Sequence, residues 1–267
     1  MRTMSFSTII LTLVLALLIA TSITLLTPVY QGAEKALQHE IRLAYDRDQR
    51  ALSSLMEERF KNIQQISQEL SNSYELQQGL NRDDVQGINR VIDNLLQGAS
   101  GQVIDAIVVE DKDGTRVVNT NFSLFDIQLP LEEISKRYIP MSIWTSEKIQ
   151  LNGTHYSLLR LSLPVIDKDL GEVIGVLDTF VLLNHNFWVI NQLQKLFGSQ
   201  AISISAGDSL LDGMESQPGQ LQALLAPFIF DDGVYTTENS IVRDHYLRIG
   251  DSDDYRVRSL LRNSAQM

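Results

Sequence analysis

The first candidates for chemistry are two charged residues, Arg160 and Asp178, that lie within otherwise apolar sequence. Arg160 is part of HYSLLRLSLPVI and Asp178 of EVIGVLDTFVLL, and both stretches have the composition of β-strands. The polar break DKDLG between them predicts a hairpin turn. If this hairpin is regular and centred on Asp169, Arg160 lies directly opposite Asp178 and neutralises a carboxylate that is costly to bury alone. The pair is then either structural or part of a ligand-pocket wall, and a slip of one residue would separate the side chains.

No pattern in the sequence predicts catalysis. The four histidines form no metal-ligand spacing with each other or with a carboxylate pair, and neither a GxSxG motif nor a P-loop occurs. These histidines are His39, His155, His185 and His245. The absence of cysteine excludes disulfides, thiolate zinc sites and cysteine nucleophiles. We therefore predict that the chain is not an enzyme and has no catalytic residues.

Two acidic patterns bear on metal binding. The DKDG stretch at 111–114 lacks the other ligands and the closing Glu of a calcium loop, so we expect a plain turn. The acids at 231–232 and 251–254 are interpreted as solvated loops, with a chance cation site as the alternative. We predict no metal and no cofactor.

Composition and charge limit the class of protein. A chain of 267 residues has room for one large domain or two small ones, and a hydrophobic fraction of 44% can supply their core. The formal net charge is -11, and no basic stripe is present that could neutralise phosphates. Nucleic acid is therefore not an expected partner.

The N-terminal segment predicts a membrane span. No charged residue occurs from Thr3 to Ala33, and Phe6 to Thr27 is a mostly apolar run of 22 residues, long enough to cross a bilayer as a helix. A cleaved signal peptide is the alternative, but its apolar core is shorter, about 7–15 residues, and no small-x-small cleavage site follows. We expect an uncleaved anchor. The basic residues after the run oppose an outside C-terminal domain, although large domains can translocate regardless of such charges.

The segment from Gly32 to Leu80 has helical periodicity, with members of one stripe separated by three or four residues. They are Leu37, Ile41, Ala44, Asp48, Leu52, Leu55, Arg59, Ile63, Ile66 and Leu70. One interpretation is a helix packed on its own domain. The other is a stalk between membrane and domain that pairs with a second copy in a homodimer. Both can hold in successive segments.

The remaining patterns predict an α+β fold in which helices are segregated from an antiparallel sheet. Asn184 or Asn186 can cap a helix that ends at Gly198. Before it we predict a helix at 85–98, strands at 103–110 and 115–121, a helix at 130–138, a strand at 141–151 and the hairpin strands at 155–166 and 173–183. Beyond it we predict strands at 201–206, 234–238, 241–249 and 255–261 and a helix at 220–228.

Two long stretches carry a family resemblance. VIDAIVVEDKDGTRVVNTN and LSLPVIDKDLGEVIGVLDTFVLLNHNFW resemble the extracytoplasmic PAS-like sensor regions of bacterial membrane receptors. With LQKLFGSQAISISAGDSLL, the chain from Gly32 to Leu211 is most similar to the periplasmic region of the LuxQ-type sensor kinases that respond to autoinducer-2. The resemblance implies two tandem periplasmic PAS-like folds between two transmembrane helices, followed by a cytoplasmic histidine kinase. It also implies a periplasmic sugar-binding-type protein as the carrier of the signal.

This resemblance gives the domain plan. We predict a cytoplasmic tip and transmembrane helix at 1–31, a stalk helix at 32–80, a first PAS-like domain at 81–198 and a second, small or incomplete one at 199–267. No second span and no kinase motif follow, so we expect a truncated receptor or only its sensor part. The expected location is the bacterial inner membrane, crossed once, with the bulk of the chain in the periplasm.

The resemblance also leaves two modes of sensing open. PAS-like sheets bind small molecules or serve as docking surfaces for proteins, and amino-acid sensors place Arg, aromatic and Asp residues along the pocket strands. Trp144, Tyr156, Arg160 and Asp178 could form a loose version of that set, although their spacing does not match it. We favour recognition of a periplasmic binding protein, in a quorum-sensing-like two-component receptor. The alternative function is a membrane-anchored binding module without signalling output.

Overall fold

Helix α1 (Phe6–Ser71) begins the computed structural model and extends over 66 residues. The structure describes residues 6–97, 104–113, 116–120, 142–151, 154–184, 186–206, 209–225, 234–236, 240–247 and 255–262. The chain divides into two compact units, Met1–Asp48 and Gln49–Met267. The predicted helix at 130–138 and the acidic segments at 231–232 and 251–254 lie outside the described residues.

The predicted stalk helix is interrupted at residues 72–73, which corrects the expectation of one helix to Leu80. Helix α2 (Tyr74–Asn81) starts anew because Ser73 adopts an extended conformation and its side chain accepts a hydrogen bond from the backbone N–H of Leu76. Serine is a strong N-cap residue, and this local signal overrides the helical periodicity. Helix α3 (Val85–Gln97) follows, as predicted.

The first sheet has five antiparallel strands, β1 (Ala106–Asp111), β2 (Arg116–Thr120), β3 (Trp144–Leu151), β4 (Thr154–Ile166) and β5 (Val173–Leu182). Their spatial order is β2-β1-β5-β4-β3, so β5 is central, as its two apolar faces predicted. Apolar residues on one face of this sheet pack against α1. On the same face, the hydroxyls of Ser67 in α1 and Thr179 in β5 are hydrogen-bonded at 2.8 Å.

Helix α4 (Phe187–Phe197) leads from the first sheet to the second and begins and ends where the sequence indicated. The side chain of Asn186 accepts a hydrogen bond from the N–H of Val189 at 3.2 Å. Gly198 ends the helix in the left-handed region, with φ 58°, which glycine adopts without steric cost.

The second sheet consists of β6 (Ala201–Ala206), β7 (Ser209–Glu215), β8 (Val234–Thr236), β9 (Ser240–Leu247) and β10 (Tyr255–Arg262). A short helix, α5 (Gln220–Leu224), lies between β7 and β8 in the chain. The strand order β7-β6-β10-β9-β8 repeats that of the first sheet, so the expectation of an incomplete second domain is corrected. Strand β7 was missed because its Asp212 and Gly213 are depleted in strands.

The two sheets share one hydrophobic core. A single cluster of buried residues includes Ile63 of α1, Leu177 of β5, Leu193 of α4, Ile202 of β6 and Val257 of β10. The hydroxyls of Ser146 in β3 and Tyr255 in β10 are also hydrogen-bonded, at 2.8 Å. The core therefore continues across the predicted domain boundary at residue 198.

Helix α1 is also bonded directly to the second sheet. The side-chain amide of Gln49 donates to the carbonyl of Tyr246 at 2.7 Å and accepts from its N–H at 3.3 Å. This pair of bonds resembles a step of a β-ladder, with a side-chain amide in place of a neighbouring strand. The segment of α1 from Gln49 onwards thus contacts both sheets.

Candidate functional site

Arg160 and Asp178 form the predicted ion pair, in a different register. Nη2 of Arg160 donates to Oδ2 of Asp178 at 2.6 Å. The residue directly opposite Asp178 is Ser162, whereas Phe180 lies opposite Arg160. The predicted direct pairing is therefore wrong by two residues, and an irregularity between Val165 and Ile166 accounts for part of the shift. A shift of two keeps both side chains on one face, and their long side chains meet diagonally.

The pair is buried and has further partners. Arg160 is 2% exposed and Asp178 is 6% exposed. The hydroxyl of Ser162 donates to Oδ1 of Asp178, and Oε1 of Glu147 lies 3.5 Å from Nη1 of Arg160. The guanidinium carbon is 5.8 Å from the centroid of the Phe180 ring. One buried cation is thus shared by two carboxylates, which compensates the loss of hydration of both sides.

The structure places the other two predicted ligand-binding residues on opposite faces of the sheet. Trp144 lies opposite Leu161, on the other face of the sheet, where its ring centroid is 4.9 Å from that of Phe60 in α1. Trp144 is a buried residue on the side of α1, so the structure does not bring it together with Arg160 and Asp178. Tyr156 lies on the same face as Arg160 because it is four residues away along β4, and it is half-buried.

A cleft of about 180 Å³ lies elsewhere in the first domain, between α2, α3 and the end of β1. Its apolar lining includes Leu80, Ile88 and Val109, and Asp83 and Asp111 are among its acidic lining residues. Val108 is paired with Asp178 across the ladder, and Val109, the next residue of β1, points to the opposite face of the sheet. The cleft therefore lies on the opposite face of the sheet from the ion pair.

The second sheet has an equivalent ion pair that sequence reasoning missed. Asp244 of β9 lies directly opposite Arg258 of β10, and its two oxygens accept from Nε at 2.6 Å and Nη2 at 3.0 Å. Nη1 of Arg258 donates to the carbonyl of Leu224, at the end of α5, at 2.6 Å. Strands β9 and β10 occupy the places that β4 and β5 occupy in the first sheet, with Arg and Asp exchanged. The signal in the sequence was weak, because Asp244 directly follows Arg243 in β9 and Arg258 is one of three arginines in β10.

A third polar cluster joins α1, β1 and α4. Arg59 is buried, and its guanidinium carbon lies 3.8 Å from the centroid of the Trp188 ring. Burial raises the pKa of Asp105 to about 6, although the N–H of Leu182, at 2.7 Å, and the charge of Arg59 both act to lower it. Burial also lowers the pKa of Arg59 to about 10, opposed by the charge of Asp105. The sequence showed Arg59 only as a charged member of the α1 stripe.

His245 is a core residue of the second domain. It is fully buried, and its ring is stacked on Phe197 of α4 with centroids 4.6 Å apart and an interplanar angle of 3°. Burial, and then the charge of Arg243, lowers the pKa of His245 to about 4. Within the described ranges, no group of three or more His, Asp and Glu side chains could hold a metal ion.

Comparison with known proteins connects this fold to a family. The family model described as LuxQ, periplasmic, matches residues 33–266. The structure of the Vibrio cholerae LuxQ periplasmic domain aligns with a TM-score of 0.69 at 16% identity, over 82% of this chain and 98% of that one. A domain of a sensory box/GGDEF family protein from Vibrio parahaemolyticus aligns with a TM-score of 0.53 at 11% identity, over 84% of this chain and 96% of that one. No curated protein sequence matches.

The two alignments establish the tandem PAS-like fold, and the family match covers both sheets and α1 from residue 33 onwards. The chain therefore belongs to the LuxQ periplasmic family and is a periplasmic sensor domain of a signalling receptor.

Proposed function

We propose that the chain is the membrane-anchored input region of a two-component receptor and that it crosses the inner membrane once. The observation that carries this proposal is an apolar helical segment shortly before the family-matching sequence, with exposed side chains from Val14 onwards. Phe6–Thr27 contains 22 residues, and at about 1.5 Å per residue such a helix matches a hydrocarbon core of about 30 Å. Among the described residues, α1 alone is long and apolar enough to cross a membrane.

The surface of this segment suits lipid. Leu17, Leu25 and Leu26 are 63%, 71% and 66% exposed, so protein covers little of their surface. The hydroxyls of Thr21 and Thr27 donate to carbonyls four residues earlier, at 2.9 and 2.7 Å. Polar groups inside a bilayer need such internal partners because lipid offers none.

The proposed orientation has the bulk of the chain in the periplasm. The family is periplasmic, and its match begins at residue 33, six residues after Thr27 at the end of the apolar segment. Lys35 and Arg42 follow the segment and oppose this orientation, but long domains can translocate regardless of flanking charge.

For the mode of sensing, we favour a periplasmic binding protein as the partner over a charged small ligand bound at Arg160 and Asp178. An ionic ligand at this position would have to displace a buried partner at 2.6 Å, and breaking such pairs costs about 3–5 kcal/mol. The rival mode is direct binding of a small ligand, with Tyr156, Arg160 and Asp178 as one wall. A homodimer through α1 is part of the proposal, since Leu37 and Leu43 of the stalk are 47% and 53% exposed.

Topology reporters test the anchoring and orientation. Alkaline phosphatase fused after Leu80 should be active, and green fluorescent protein at the same position should be dark, because the former needs export and the latter fails to mature after it. A matched fusion that lacks Phe6–Thr27 should reverse both signals. Fluorescence of the undeleted fusion, without phosphatase activity, would contradict the proposed function.

Calorimetry with the purified full chain in detergent tests the mode of sensing. The proposal expects binding of a periplasmic binding protein and no tight binding of small ligands in its absence. A small molecule bound tightly without any protein partner would favour the rival mode. A membrane-anchored binding module without signalling is the second candidate function, and a second span followed by a kinase in the same receptor separates it from the sensor.

A further inference from the structure

The tip of the β4–β5 hairpin presents a fixed, exposed apolar surface with acidic neighbours. We propose that this tip, Ile166–Val173, is a docking surface for a protein partner that offers an apolar socket with a basic rim. The inference rests on the proposed recognition of a protein partner and locates it at a site distinct from Arg160 and Asp178.

Three large apolar side chains are exposed within eight residues. Ile166 is 40%, Leu170 71% and Val173 55% exposed. Ile166 and Val173 pair directly across the ladder, and Leu170 lies in the turn that joins them. The three therefore lie together at one end of the hairpin, and exposed apolar residues grouped in this way mark interaction sites.

A carboxylate holds the turn in shape. Asp167 accepts hydrogen bonds from the N–H groups of Asp169, at 2.8 Å, and Leu170, at 3.1 Å, and from Nδ2 of Asn81 in α2, at 2.7 Å. The bond from Asn81, followed by those from the two turn amides, lowers the pKa of Asp167. The carboxylate that organises the turn therefore stays ionised at neutral pH.

Backbone bonds close the same turn. The N–H of Asp167 donates to the carbonyl of Glu172 at 2.8 Å, and the N–H of Gly171 donates to the carbonyl of Asp167 at 2.8 Å. Gly171 has φ 71°, a conformation that residues with a Cβ rarely adopt. Leu170 is thus exposed on a pre-ordered turn, so a partner that buries it gains apolar contact with little loss of loop entropy.

The tip is also bonded to the end of α1. Nζ of Lys168 donates to the carbonyl of Asn72 at 2.7 Å, and Asn72 directly follows Ser71, the last residue of α1. A partner that moves the turn therefore acts on the helix that enters the shared core. This contact connects the docking surface with the sensor role.

The charge of the hairpin tip indicates which class of partner can bind it. Residues 167–172 contain three carboxylates and one ammonium group and have a net charge of -2. Asp167 is buried in the turn, so the charges at the surface are those of Asp169, Glu172 and Lys168. A second copy docked through the same surface would bring like charges together, and an anionic membrane surface would be repelled. A basic rim around an apolar socket is the complementary chemistry.

Photo-crosslinking of the full chain in intact cells is the first test. Benzoylphenylalanine in place of Leu170 should give one adduct with a different polypeptide, and the same group in place of Leu225, which is 52% exposed, should not. An adduct with a second copy of the chain, no adduct, or equal labelling at both positions would overturn the proposal.

Binding of the purified, identified adduct partner to the purified full chain is the second test. Leu170→Ala should weaken binding about tenfold or more, as for a central hot-spot residue. Asp167→Ala should also weaken binding, because it removes the hydrogen bonds that order the turn but keeps the Leu170 side chain in the sequence. Leu225→Ala is the control and should bind within about twofold of the original chain. Unchanged binding by both tip variants would refute the docking surface.

Failure of this inference is distinguishable from failure of the proposed function. Leu170 is exposed, so melting temperatures of its variant should match those of the original chain. If the topology reporters retain the periplasmic result while the tip variants bind normally, the sensor function stands and the docking surface is wrong.

Discussion

Removal of either member of the Arg160–Asp178 pair is the most direct test of its role. Asp178→Ala leaves the guanidinium with Glu147 at 3.5 Å, and Arg160→Ala leaves a buried carboxylate with the hydroxyl of Ser162. The double variant removes both charges and leaves no unpaired ion of this pair. The three variants therefore separate the cost of an orphaned charge from the cost of lost packing.

The magnitude follows from burial and distance. The pair is separated by 2.6 Å, with exposures of 2% and 6%, and loss of one partner of a buried pair costs about 3–5 kcal/mol. We expect the cost of Asp178→Ala to lie near the lower end of this range, because Glu147 still compensates the charge of Arg160. The cost of Arg160→Ala should lie near the upper end, because this change also removes a cation from Glu147. The double variant should cost less than the sum, with a coupling energy of about 2–3 kcal/mol.

Urea denaturation of the full chain, followed by circular dichroism, measures these free energies of unfolding. Glu69→Ala is the control, since its exposed carboxylate accepts a hydrogen bond from the exposed side-chain amide of Gln65 at 3.0 Å. Surface substitutions of this kind usually change the free energy of unfolding by no more than about 0.5 kcal/mol.

Two results would refute this reasoning. If the double variant loses as much free energy of unfolding as the two single variants together, the two charges do not interact. Single variants that unfold like the original chain but lose response to the signal would identify the pair as a ligand-binding wall, because a structural pair cannot be broken at no cost in stability.

Three further predictions concern pH and packing. His245 has a pKa of about 4, below its ordinary value, so the free energy of unfolding should fall as pH drops from about 6.5 to 4, by up to about 3 kcal/mol. Urea titrations should show that His245→Phe flattens this slope. Asp105 has a raised pKa of about 6, so its contribution to the free energy of unfolding is present below about pH 4 and is lost as pH rises through 6. Asp105→Asn should remove that pH dependence, and an unchanged dependence of the free energy of unfolding on pH would contradict the assignment. Gly175→Ala would put a Cβ 2.7 Å from the carbonyl of Glu110 and should destabilise by about 1–3 kcal/mol in thermal melts, whereas Gly32→Ala, with nothing within 4 Å, should not destabilise.

Much of the local structure was predictable because its signals are local. The strand at Ala201–Ala206 and the capped helix between Asn186 and Gly198 agree with their predictions. Other local signals were misread. Ser73 interrupts the helix that periodicity extended to Leu80, and a strand forms through Asp212 because pairing with β6 outweighs its low propensity.

The candidate site was predictable in part. Alternation along the strands placed Arg160 and Asp178 on one face, and the ion pair confirms it. The exact register was wrong by two residues, because a shift of two preserves every face and leaves the apolar pattern unchanged. The face of Trp144 depends on the pairing of β3 with β4, which composition does not encode.

The sequence by itself determined the membrane-length apolar segment, the α+β class, the LuxQ-type resemblance and the need for a partner of the charge at Asp178. Each depends on composition or on a period along one element. Tertiary structure alone decided that Arg160 bonds diagonally, that Arg258 pairs with Asp244, and that both sheets share one core. These features join residues far apart in the chain or across a sheet, and their geometry depends on register and packing, which the residue types of single elements do not specify.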